Sequence, residues 1–337
     1  MDTAAKSPAL ARRRAASGWP AYVLVALVLG CAVYAFSPRP NPPFPATVIH
    51  SDNILITGLA QRGARIIAVG EQGHILLADS ATGPWHEGVV KPQRGSTLTQ
   101  AMFIGDKTSL AVGHDGWILR SQDNGENWSE VAFDSEHSDP FLGVAGPYDG
   151  KLFAFGGFGR FAVSSDGGST WQKQTSEAIG DHHLNAMTRM ADGTLLLVGE
   201  RGLMLRSADN GQSWTALPQI YAGSFYGVMS LPAQRLLVYG MRGNVFSSRD
   251  LGKSWQKSSI PAEVSLLGGA VTDKGEIVLV GEGNTVVVSR DGGQRFVIAA
   301  EGERRTLSSV LPIANGEWLT GGESGLSIKY AATGVKS

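Results

Sequence analysis

The chain has 337 residues, 42% of them hydrophobic, 18% charged and 44 of them glycine, a composition that excludes a largely disordered chain and suits one large domain or two ordinary ones. The net charge is −1, but the first 40 residues hold five basic side chains against Asp2, a net of +4, which leaves −5 for the rest and makes nucleic acid a poor partner. The single cysteine, Cys31, excludes a disulfide framework and a cysteine-built metal site.

Residues 1–18 form a basic tail that ends in Arg12, Arg13 and Arg14. The segment 19–37 carries no charge, and about 20 helical residues span a bilayer core of about 30 Å. It reads as a signal anchor. The arginine cluster stays cytoplasmic, so the remainder lies on the periplasmic or extracytoplasmic side of an inner membrane crossed once. Two alternatives stay open. Val33-Tyr34-Ala35 is a passable signal-peptide cleavage site, and Val28-Leu29-Gly30-Cys31 resembles a lipidation motif with Cys31 as the acylated residue. Residues 38–45 follow with five prolines and read as an extended spacer.

From residue 46 to residue 334 the sequence repeats. A shared glycine recurs at Gly70, Gly113, Gly156, Gly199, Gly240, Gly281 and Gly322, spaced by 43 residues three times and then by 41 three times. A period of about 40–45 with several short strands per unit is that of a propeller blade, so the expected fold is an all-β, seven-bladed β-propeller behind an N-terminal transmembrane helix. Small residues at Gly58, Ala101, Gly143, Ala186, Gly227, Gly269 and Ser309 mark the crowded innermost strands. A Gly-x-x-Gly turn joins the second and third strands, where glycine permits a left-handed backbone. Residues 46–50 are expected to supply the outer strand that the last unit lacks, and so to remove an open sheet edge.

Five units end in Ser-x-Asp-x-Gly-x-x-aromatic. The boxes are Ser121, Asp123, Gly125 and Trp128; Ser164, Asp166, Gly168 and Trp171; Ser207, Asp209, Gly211 and Trp214; Ser248, Asp250, Gly252 and Trp255; and Ser289, Asp291, Gly293 and Phe296. Here Asp accepts backbone N–H bonds of its own turn, glycine takes the left-handed position and the aromatic wedges into a blade. A catalytic group would not be copied once per blade, so these residues are structural. Asp-Asn-Gly lacks the further ligands of a calcium loop, and no helix follows Gly-x-x-Gly to bind phosphate. No metal and no cofactor is expected.

The repeated Val-Gly-x-x-Gly-x-(Ile/Leu)-x-x-Ser-x-Asp-x-Gly-x-x-Trp resembles the BNR/Asp-box propellers, and most of all the photosystem II stability/assembly-factor family in its non-photosynthetic bacterial form. The resemblance spans about residues 46–330. It implies a non-catalytic protein that binds a protein partner, as assembly factor or accessory subunit of a membrane complex. Some relatives are encoded beside export pumps of the RND type, which makes such a transporter the implied client. Two alternatives are weighed. A glycan or cell-envelope binding module should show an aromatic platform at the channel mouth. A sialidase-like glycoside hydrolase should show a buried cluster of Arg, Glu and Tyr there. The Phe/Tyr-Arg-Ile-Pro signature of sialidases is absent from this chain.

The turns between second and third strands share one face with the loops between blades, and varied loops on a rigid ring are where binding resides. The turns offer Glu71, Gln72, His114, Asp115, Phe158, Glu200, Arg201, Arg242, Glu282 and Glu323. The loops offer His137, Asp139, His182, His183, Tyr221, Phe225, Arg304 and Arg305. From these, Phe158, Arg201, Tyr221, Arg242, Arg304 and Arg305 are the candidate partner face.

Overall fold

The structure is a computed structural model that describes residues 18–37, 51–313 and 316–330. The expected outer strand at 46–50, the spacer 38–45, most of the basic tail and residues 331–334 lie outside the described residues. Trp19–Phe36 is a single α-helix with Pro20 in its first turn, where a missing N–H costs nothing. Its mean hydropathy is 2.0, none of its residues is buried, and it is long and apolar enough to cross a membrane.

The described residues from Ser51 onward form a seven-bladed propeller. Blades one to six each hold four antiparallel strands in chain order, innermost first, and blade seven holds three among the described residues: Leu307–Pro312, Glu317–Gly322 and Gly325–Tyr330. The innermost strands of the others are Ile56–Arg62, Leu98–Phe103, Phe141–Tyr148, Leu184–Arg189, Phe225–Leu231 and Leu266–Val271. Second strands such as Leu195–Gly199 and Ile277–Gly281 are buried along their whole length, because blades stack on both faces of the sheet.

The shared glycine is needed for space rather than for a left-handed backbone. Gly70 is extended at φ −166°, and a Cβ there would collide with the carbonyl of Leu55, which leads into the inner strand. The same collision recurs at Gly113, Gly156, Gly199, Gly240, Gly281 and Gly322. In each blade the next residue donates its N–H to that same carbonyl, from Glu71 to Leu55 O at 3.0 Å through to Glu323 to Thr306 O at 3.0 Å. The left-handed positions lie one and two residues further on.

The inner register differs from the expected one in two blades. Gly58, Gly143, Ala186, Gly227 and Ser309 each face the residue before the shared glycine, but in blades two and six that place is taken by Gln100 and Gly268, not Ala101 and Gly269. Gln100 is tolerated because it bridges instead of packing: its Oε1 accepts the Val144 N–H of blade three at 2.8 Å. Gly268 admits no Cβ, since the Ser308 carbonyl of blade seven lies there.

Each Asp box closes a turn. In blade four Ser207 Oγ donates to Asp209 at 2.7 Å and accepts the Gly211 N–H at 2.8 Å, while Asp209 accepts the Ser213 N–H at 2.9 Å. The same set recurs around Asp123, Asp166, Asp250 and Asp291. Gly125, Gly168, Gly211, Gly252 and Gly293 all have φ between 78° and 92°. The aromatic then reaches the preceding blade. Trp128 packs with Ile67 and Leu77, and Trp214 meets Phe161 edge-on at 5.8 Å.

Adjacent blades are latched at the channel by side chains that donate to the next inner strand: Thr57 to Leu98 O (2.5 Å), Thr99 to Phe141 O (2.8 Å) and Asn185 to Phe225 O (2.7 Å). Ser308 to Ile56 O (2.5 Å) closes the ring from blade seven to blade one. Blade two carries a fifth strand beside its four antiparallel ones. Val89–Lys91 leaves blade one and pairs in parallel with Asn127–Ala132.

Candidate functional site

The six expected partner residues fall on one face. In blades one to five the second residue of the turn is left-handed and is not glycine: Gln72 at φ 53°, Asp115 at 55°, Phe158 at 52°, Arg201 at 52° and Arg242 at 54°. Blade six places Gly283 there at φ 68°. A side chain in that conformation costs on the order of 1 kcal/mol, and the slot plainly accepts glycine. Asp115 has a local reason to be there, because it accepts the Ser96 hydroxyl at 2.5 Å. Phe158, Arg201 and Arg242 occupy three successive blades and all point to solvent, with Phe158 62% exposed.

The glutamates that follow the shared glycine are tied to backbone. Glu71, Glu200, Glu282 and Glu323 accept the N–H of Leu55, His183, Ser265 and Thr306 at 2.9, 3.2, 3.0 and 3.1 Å. They hold the chain as it turns into each inner strand, a role that the sequence reading missed. Its only trace there was the recurrence of Glu after the shared glycine. Arg201, Arg242 and Arg304 make no ion pair among the described residues. On the opposite face Arg62 pairs with Asp106, Arg65 with Asp79, Arg189 with Asp149, Arg206 with Asp192 and Arg290 with Glu276. Arg120, Arg235, Arg249 and Arg295 on that side make no ion pair among the described residues, while Arg94, Arg160 and Arg305 on the turn face pair with Glu130, Asp134 and Glu303.

The remaining candidates separate. Arg304 and Arg305 are exposed in the loop before blade seven, where Arg305 donates to Ser324 at 2.6 Å. Tyr221 is half-buried between Phe225 and Phe246, at 5.9 and 6.1 Å, so its ring packs under the loop. Phe225 begins an inner strand and is fully buried, because that register points it between blades, so it is no loop residue. His183 meets Phe158 edge-on at 4.8 Å and buttresses the exposed ring. Beside Arg242 a groove of about 740 Å³ runs along Lys257, Ser259, Ile260 and Glu263.

The central channel holds a cavity of about 310 Å³ lined by inner-strand residues of all seven blades, together with Phe155 and Tyr239. No Asp, Glu, Lys, Arg or His lines it among the described residues. Its aromatic lining consists of Tyr226 with the buried Phe155 and Tyr239, which fill the space left by Gly143 and Gly227. Burial raises the Tyr226 hydroxyl above its ordinary pKa, and the charge of Glu282 adds to that. Burial raises Tyr239 as well.

The family described as Photosynthesis system II assembly factor YCF48 matches residues 121–272. No curated protein matches. Among solved structures, one described as YCF48 bound to D1 peptide has a TM-score of 0.67 at 19% identity, covering 87% of this chain and 98% of its own. YCF48 from Cyanidioschyzon merolae has a TM-score of 0.66 at 14% identity, covering 85% and 98%. The WD40 β-propeller domain of Doa1 has a TM-score of 0.68 at 13% identity, covering 84% and 94%. At such identities the likenesses show the fold, and the match over 121–272 takes in four of the five Asp boxes. The chain is an Asp-box, seven-bladed β-propeller that resembles the photosystem II assembly-factor family.

Proposed function

We propose that this chain is a non-catalytic, membrane-tethered extracytoplasmic propeller that binds a protein partner through its turn face, as assembly factor or accessory subunit of a membrane complex. The observation that carries the reading is the arc of Phe158, Arg201 and Arg242. Three successive turns hold bulky exposed side chains in a backbone conformation better suited to glycine, and both guanidiniums lack a carboxylate partner among the described residues. An aromatic ring beside arginines has the composition of an interface hot spot. The described chain also joins the ring on this face, where Ser51 accepts the N–H of Leu326 at 2.9 Å. A relative of the same fold is described as bound to a peptide. The apolar helix at Trp19–Phe36 supports single-pass tethering to an inner membrane, and an RND-type transporter is the proposed client. The channel lining supports a non-catalytic role, since the Arg and Glu that a sialidase-like site would gather beside a Tyr are not among its described residues.

Affinity purification from detergent-solubilised membranes, followed by mass spectrometry, tests this. A membrane protein should be enriched with the native chain and lost with Phe158→Ala combined with Arg201→Ala and Arg242→Ala. Recovery of the propeller alone would count against the reading.

A further inference from the structure

The channel carries a second site, independent of the turn face. Its polar side chains are oriented by bonds that leave the other half of each group unspent. Gln100 Oε1 is held by the Val144 N–H, so its NH2 remains to donate. Asn185 donates its NH2 to Phe225 O, so its Oδ1 remains to accept. Tyr226 also lines the space. These three residues come from blades two, four and five and converge on about 310 Å³, room for about ten waters.

We propose that the channel binds a free, uncharged, hexose-sized polyol. A charged ligand would lose its hydration with no counter-charge on the wall. An apolar ligand would leave the free halves of the Gln100 and Asn185 amides unpaired. A polyol supplies donors and acceptors on several sides at once. The buried Phe155 and Tyr239 give no open platform on which a polymer could stack, so the ligand is a monomer rather than a glycan chain.

Ligand-observed NMR on the full chain in detergent tests this with glucose, N-acetylglucosamine, glucuronate and an N-acetylglucosamine tetramer. At least one neutral monomer should bind with a dissociation constant of about 1 mM. Glucuronate and the tetramer should bind at least about tenfold more weakly. Asn185→Leu should weaken the neutral monomer by about tenfold or more. Because that change also breaks the latch to blade five, Tyr226→Phe serves as a second variant that removes only a hydroxyl, and it too should weaken binding. No binding by either neutral monomer, equal binding of glucuronate, preference for the tetramer, or unchanged binding by a folded Tyr226→Phe protein would each overturn the proposal.

Discussion

Two glycines of the same ring can be fixed by different physics. Gly199 is extended and is fixed by the His183 carbonyl that a Cβ would strike, whereas Gly63 has φ 58° with open space around it. Gly199→Ala should cost about 3–5 kcal/mol or prevent folding, and Gly63→Ala only about 1, as read by urea unfolding. The same reasoning reverses at Arg201 and Arg242. Their side chains are exposed and their φ values favour glycine, so Arg201→Gly and Arg242→Gly should each stabilise the propeller by about 1 kcal/mol while weakening capture of the partner. A residue whose removal strengthens the fold and harms binding is one kept for binding. Acid should act on the box carboxylates. The Ser213 hydroxyl and N–H, with Ser207, hold Asp209 at about 2 against an ordinary 3.8, and Ser254 with Ser248 hold Asp250 at about 2. Folded carboxylates that release protons more readily than unfolded ones stabilise fully above about pH 4 and lose that stabilisation as pH falls towards 2. Near-UV circular dichroism should therefore show loss of tryptophan asymmetry across that window, and Asp209→Asn with Asp250→Asn should flatten the dependence.

Within the blades, the box aromatics are graded by burial. Trp128 is fully enclosed between blades one and two, so Trp128→Ala should cost about 3–5 kcal/mol, while the half-buried Trp255 should cost less when truncated. Blade number, strand order and the box turns were legible in the sequence because each repeats one local cause at a fixed spacing. The unexpected features depend on what lies across a blade interface. Gln100 sits where its neighbours carry small residues because its partner N–H belongs to Val144, 44 positions away. The extra strand Val89–Lys91 exists because its hydrogen bonds are made to Asn127–Ala132, and nothing in its three residues announces a parallel pairing. The candidate face was legible as a set of turns, but Tyr221 and Phe225 could be told from Phe158 only by which side of the chain the register turned inwards.

Across the whole ring, closure rests on contacts between the two ends of the repeat array. Ser308 donates to Ile56 O over 252 positions, and Ser308→Ala should lower stability by about 1 kcal/mol, with hydrogen-exchange protection falling first in the inner strands of blades one and seven. The channel and the turn face were hidden from sequence in different degrees: the arginines could be listed, but the neutrality of the channel appears only when seven distant strands are brought together. Blade two bears on how the chain finds its fold. A chain of seven similar units risks joining the wrong pair during folding, since each interface offers nearly the same apolar surface to the next. The parallel strand at Val89–Lys91 is the longest such pairing among the described residues, since blades five and six repeat it only as a single bridge from Ser259 to Arg295, and it is backed by Arg94, which bonds Glu130, which in turn accepts the indole N–H of the enclosed Trp117. That difference marks one interface of an otherwise interchangeable series and gives the remaining units a point of reference.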